Sequence, residues 1–147
     1  MPLTTDSEIF ALLAGARTIA MVGASDRPDR PSYGVMDFLQ GRGLRVLPVN
    51  PAITGQHVLG EYVWDELGQI GVPIDIVDIF RRSDAVGPIV DAAIAVGAKA
   101  IWMQLGVSNP EAAARAEAAG LQVVMDRCPK IEIRRLAVPP VSAPPTP

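Results

Sequence analysis

Five short apolar runs, each followed by a stretch with helical patterning, constrain this chain more than any other feature. They are Thr18 to Val22, Leu44 to Val49, Ile74 to Phe80, Lys99 to Gln104 and Leu121 to Met125. Each is too short for a helix and contains β-branched residues, so each is expected as a strand. Runs such as Ile19-Ala-Met-Val22 are apolar throughout, as strands buried on both faces are. Strands that alternate with helices build βαβ crossovers and hence a parallel sheet. The expectation is an α/β fold: one Rossmann-like three-layer domain with helices on both faces of a five-stranded parallel sheet. Its expected strand order is 3-2-1-4-5. The 147 residues, 49% of them apolar, suit one domain with one good core.

The stretches between the runs carry start and stop signals for helices. Thr5-Asp6-Ser7-Glu8 fits a capping box, and Gly15 closes the helix it opens. Tyr33, Val35, Met36, Phe38 and Leu39 form an apolar stripe at helical spacing in a helix that starts near Ser32 and ends by Gly41 and Gly43. Ser83 is expected to cap a helix reaching about Val96, and Ser108-Asn-Pro-Glu111 to open one that Gly120 stops. Residues 52–73 are the least regular, with a brief extended piece at Val58 to Gly60 and a helical turn over Val63 to Leu67. A last helical turn is expected over 131–136. The domain is thus read as 5–136, and the proline-rich 137–147 as a disordered tail.

In an open parallel sheet, ligands bind outside the carboxyl ends of the strands, at the point where the strand order reverses. The expected order puts that point between the first and fourth strands. The segments available there are Gly23-Ala-Ser25, Asn50-Pro51, Phe80-Arg81, Gln104-Leu-Gly106 and Asp126-Arg-Cys128. The first leads through Arg27 and Arg30 to a helix beginning near Ser32, Tyr33 and Gly34. A small-residue turn ahead of a helix N-terminus lets backbone N–H groups and the helix dipole meet an anion. With two arginines in the same loop, the stretch reads as a phosphate cradle. Asn50-Pro51 suits a strand-ending turn equally well.

A dinucleotide fingerprint would place a second glycine where Ser25 stands, and an acidic residue at the end of the second strand, where Asn50 stands. Both departures count against a nicotinamide cofactor. The net charge of −3 provides no basic field for nucleic acid. Cys128, the only cysteine, excludes an intrachain disulfide, and one Cys with one His, His57, cannot complete a usual metal site. No apolar run approaches the roughly 20 residues of a membrane helix. The N-terminus lacks the features of a signal peptide, so a cytoplasmic location is expected. Trp102 and Met103 read as core residues. Asp75 and Asp78 fall on opposite faces of one strand, which argues against a shared catalytic role. Asp78, near the sheet centre, is expected to need a hydrogen-bond partner.

Five ordered motifs resemble one family. Val22-Gly-Ala-Ser25, Pro48-Val-Asn-Pro51, Val77-Asp-Ile-Phe-Arg-Arg82, Trp102-Met-Gln-Leu-Gly106 and Met125-Asp-Arg-Cys-Pro-Lys-Ile-Glu132 are similar to those of the small single-domain CoA-binding proteins. That family is related to the CoA-binding domain of the succinyl-CoA synthetase α subunit. The resemblance spans about residues 8–136 and implies that the first loop holds the phosphates of coenzyme A. It further implies that Asn50, Pro51, Phe80 and Arg81 flank the adenosine, and that Gln104 and Gly106 face the pantetheine arm. The synthetase has further domains and a phosphorylated histidine, whereas His57 sits in the irregular segment, so acyl-CoA ligation is not implied. The reading is binding of coenzyme A or an acyl-CoA with no catalysis of its own. The alternatives are a small nicotinamide-dependent oxidoreductase and a CoA-sensing module acting through a protein partner. Cys128, flanked by Arg127 and Lys130, reads either as a partly exposed thiol at the strand edge, near the CoA thiol, or as a small buried filler before Pro129.

Overall fold

The structure, a computed structural model, describes residues 1–141. Helix α1 (Asp6–Gly15) starts at the capping box: the Glu8 amide donates to the Thr5 hydroxyl, and the Glu8 carboxylate accepts from the Thr5 amide. Then come β1 (Thr18–Val22), α2 (Pro31–Gly41) and β2 (Arg45–Val49). A short antiparallel hairpin of β3 (His57–Val58) and β4 (Glu61–Tyr62) fills the irregular segment. The rest is β5 (Ile76–Ile79), α3 (Val86–Ala95), β6 (Ala100–Met103), α4 (Pro110–Ala118), β7 (Gln122–Val124) and α5 (Pro129–Leu136).

The five long strands make one parallel sheet between two helical layers. Side chains alternate across a strand, so Ala20, Val77, Ile79 and Ile101 face α3 and α4. Ile19, Met21, Ile76 and Trp102 face α1, α2 and α5. The Rossmann-like three-layer class therefore stands.

The order of strands within it differs from expectation. The sheet runs β2-β1-β5-β6-β7, so the third long strand lies beside the first, not outside the second. The cause is legible in β2. Pro48 has no N–H to give a second neighbour, and proline belongs on edge strands. Its carbonyl, which points away from β1, accepts the Trp64 amide at 2.9 Å, and Trp64 in turn takes the Asn50 amide at 2.9 Å. This one-residue bridge covers the edge and leaves no place there for another strand. The order now reverses between β1 and β5, which moves the expected ligand crevice one strand over.

Other differences are local. Ser83 opens a 3-10 turn without capping it, because its hydroxyl accepts the Ser108 amide at 3.0 Å. Within 63–66, Trp64 bridges to β2 and Val63 bonds to Gly55 and Gln56, and the helical turn falls at Leu67–Gln69. The last helix starts earlier than expected and has eight residues. Of the proline-rich segment, 142–147 lie outside the described residues. The part before them lies against the end of α2: the Val141 amide donates to the Arg42 carbonyl at 2.8 Å, and Val138 is buried.

Candidate functional site

Strand β1 ends at Gly23, whose φ of +88° already favours glycine. The adjacent strand requires it as well. The Phe80 amide donates to the Val22 carbonyl at 2.8 Å, and the Phe80 carbonyl then lies where a Cβ on Gly23 would stand. The turn beyond is braced from two sides. Ser25 Oγ accepts the Arg27 amide at 3.0 Å, while Asn50 Nδ2 donates to the Ala24 carbonyl at 2.7 Å. Asn50 Oδ1 accepts the Ala52 amide at 2.9 Å, so both ends of this amide are committed to shaping loops.

Around the turn lies a recess of about 370 Å³. Gly23, Ala24 and Ser25 form one wall, Arg27 and Arg30 a second, and Ser32, Asn50 and Phe80 complete it. Helix α2 opens into it with no side-chain cap at Arg30 and with Pro31 in its first turn. Pro31 has no N–H, and the Tyr33 and Gly34 amides donate to the Arg30 carbonyl, so among the described residues the first turn leaves the Ser32 N–H for an external acceptor. Arg27 stays well exposed, 3.7 Å from Asp29.

A second, larger cleft of about 680 Å³ adjoins the recess and shares Pro31 and Phe80 with it. Its walls are mostly apolar, with Val35, Val107 and Leu105 beside Cys128. Arg81 and Arg82 stand at its side. Gln104 is 7% exposed, and its Oε1 has no hydrogen-bond partner among the described residues. A buried acceptor left without a donor is costly, and here it belongs to a residue lining the cleft.

The loops after β6 and β7 are tied together behind this cleft. Asp126, at φ +57°, accepts the Gly106 amide on Oδ1 at 2.7 Å. Trp102 Nε1 donates to the Arg127 carbonyl at 2.7 Å. These bonds hold Gln104 and Cys128 on neighbouring loops. The two cations flanking Cys128 in sequence are occupied elsewhere. Arg127 donates to Glu132 at 2.6 Å, and Lys130 lies 5.6 Å from the centre of the Phe38 ring. Glu132 is buried. Burial alone would raise its carboxyl, but hydrogen bonds from Arg135 and Arg127 hold it below the ordinary value.

Asp78 departs from expectation. It sits between Met21 and Trp102 in the sheet, fully buried, with neither carboxyl oxygen hydrogen-bonded among the described residues. Burial pushes its carboxyl well above the ordinary value, so the neutral acid is the form the fold accommodates. Asp75, on the opposite face, accepts the Arg17 and Thr18 amides at 2.8 and 3.0 Å and serves the start of β1.

Among the residues singled out in the sequence, the recess gathers Gly23, Ala24, Ser25, Arg27, Arg30, Ser32, Asn50 and Phe80. The cleft gathers Phe80 again with Arg81, Gln104 and Cys128. Pro51 lines a separate recess with Asp65, Glu66 and Ile89. Tyr33, Gly34 and Gly106 line neither the first recess nor the cleft. Sequence reasoning missed Pro31, Val35, Arg82 and Val107. Arg82 carried a signal, standing beside Arg81 at the end of a strand; an isolated valine on a helix carries none.

The fold and this crevice define a doubly wound α/β domain with its cavity at the β1/β5 switch point. Its family follows from comparison: residues 17–134 match the CoA binding domain family, and the chain belongs to it. An uncharacterised protein of Bacillus subtilis, YneT, is 38% identical over 125 residues, covering 85% of this chain and 91% of that one. A solved hypothetical protein from Pyrococcus horikoshii is 37% identical, with a TM-score of 0.87 and coverage of 93% and 96%. A solved protein from Thermus thermophilus is 38% identical, also with a TM-score of 0.87, covering 90% of this chain and 99% of that one. Among the described residues, no helix is long and apolar enough to cross a membrane.

Proposed function

We propose that the protein binds coenzyme A, phosphates in the recess at Gly23 and pantetheine arm in the adjoining cleft, without catalysing a reaction on it. The observation that carries this reading is the continuity of two unlike cavities through Pro31 and Phe80. One is lined by backbone, hydroxyl and two arginines, and suits phosphate. The other is largely apolar with one free amide acceptor, and suits a long arm whose few polar groups are amides. Family membership supports the same ligand class. For nucleophilic catalysis the cleft offers Cys128, but the chain's only histidine, His57, lies in the β3–β4 hairpin and could not serve as its base from the cleft wall.

Calorimetry with CoA, dephospho-CoA, NAD and NADP tests the reading. CoA should bind most tightly. Tighter binding of NADP would overturn the reading in favour of a nicotinamide-dependent enzyme.

A further inference from the structure

We infer that Cys128 is a site of reversible disulfide exchange with CoA disulfide, leaving CoA attached to the protein through its own sulfur. The inference rests on the CoA reading above and adds a covalent state to it. Cys128 lines the cleft that continues from the phosphate recess, on the loop after β7 that Asp126 ties to the loop carrying Gln104. Although only 5% exposed, it borders a second depression with Met125 and Ile131, so the cavities are its routes to solvent.

A cysteine in a cavity is not by itself a site. The independent observation is Gln104, a residue of the same cleft wall whose buried Oε1 lacks a donor among the described residues. A pantetheine arm carries amide N–H groups that could satisfy it. An arm anchored at Gln104 lies along the wall that holds Cys128, and its thiol end is the only group of CoA able to exchange with a protein sulfur.

The exchange balances without further reagents. The Cys128 thiolate attacks one sulfur of CoA disulfide, the S–S bond of that molecule breaks, and a Cys128–CoA disulfide forms. The second CoA leaves as a thiolate and takes up the proton that Cys128 gave up. Cys128 is oxidised and the departing CoA is reduced; excess dithiol, itself oxidised to its disulfide, releases the attached CoA as its thiol and restores the Cys128 thiol.

The test uses the full chain. Because Cys128 is the only cysteine, any sulfur adduct maps to it without a variant. The protein is incubated with CoA disulfide or, in parallel, with glutathione disulfide at equal concentration, and its intact mass is followed. One CoA adduct should form, at least roughly tenfold faster than the glutathione adduct, because prior binding raises the local concentration of the reacting sulfur. Excess acetyl-CoA should slow it, and dithiol should remove it. Equal rates for the two disulfides would overturn the proposal by showing a merely reactive thiol. No adduct in a protein that binds CoA by calorimetry overturns it and leaves the CoA reading intact. No adduct and no CoA binding removes both.

Discussion

Asn50 Nδ2 donates to the Ala24 carbonyl at 2.7 Å, which ties the end of β2 to the turn that ends β1. This bond explains why the residue is not acidic. An aspartate here would aim a second acceptor at the carbonyl and could not serve as the brace. Asn50→Asp should therefore lose CoA affinity without acquiring NAD binding, and Asn50→Ala should lose about 1–2 kcal/mol of it. Calorimetry on both variants checks this. Unchanged CoA affinity in Asn50→Ala would show that the recess keeps its shape without the bond.

How much of this was legible in the sequence depends on the range of the forces involved. The strands and most helix starts are local, and runs such as Ile19 to Val22 and the cap at Thr5 announce them. The strand order is a long-range property, and one residue held the clue. Pro48 in the middle of β2 marks an edge strand, whereas the expected order made β2 an inner one. The recess was legible because a strand, a turn and a helix start lie consecutively in the chain. The cleft was legible only where strands end, at Phe80, Arg81, Gln104 and Cys128; its apolar walls Val35 and Val107 come from a helix and a loop far apart in the chain, and nothing local marks them. The directions of Arg127 and Lys130 were not legible either. Arg127 finds Glu132 once the first turn of α5 forms, and Lys130 meets Phe38 only once α5 lies against α2.

Gly23 should tolerate no side chain. Gly23→Ala combines a left-handed φ of +88° with a Cβ 2.9 Å from the Phe80 carbonyl carbon. The strain alone is about 1–3 kcal/mol, and the parting of β1 from β5 adds to it. Urea denaturation should show that loss, with CoA affinity falling too as the turn shifts. A variant as stable as the parent would mean that β5 can move aside freely.

Arg27→Ala should weaken CoA by about 1.5 kcal/mol, the lower end for a charge-assisted bond, since Arg27 is well exposed in the free protein. Repeating the titration with dephospho-CoA identifies the phosphate concerned, because the partner phosphate's removal should abolish the difference between parent and variant. Equal CoA affinities in the first place would transfer the role to Arg30 or Arg81.

Two buried carboxyls should give the protein opposite pH dependences. Glu132, held below its ordinary value by Arg135 and Arg127, contributes stability that is full above the ordinary carboxylate range and lost as pH falls through its lowered value. Glu132→Gln should cost about 1–3 kcal/mol near neutral pH, with the deficit closing below about pH 4. Asp78 works the other way. Its carboxyl is held well above the ordinary value by burial, so the unfolded chain releases a proton that the native one keeps. Native stability from this residue is therefore greatest below about pH 4 and declines as pH rises towards the raised value. Asp78→Asn keeps the shape and removes the titration. Its melting temperature relative to the parent should climb as the pH rises from about 4, the ordinary carboxylate value, towards the raised one. Thermal denaturation of parent and variant across that range measures the difference directly. A difference that stays flat with pH would mean that Asp78 ionises in the native state much as it does in the unfolded chain.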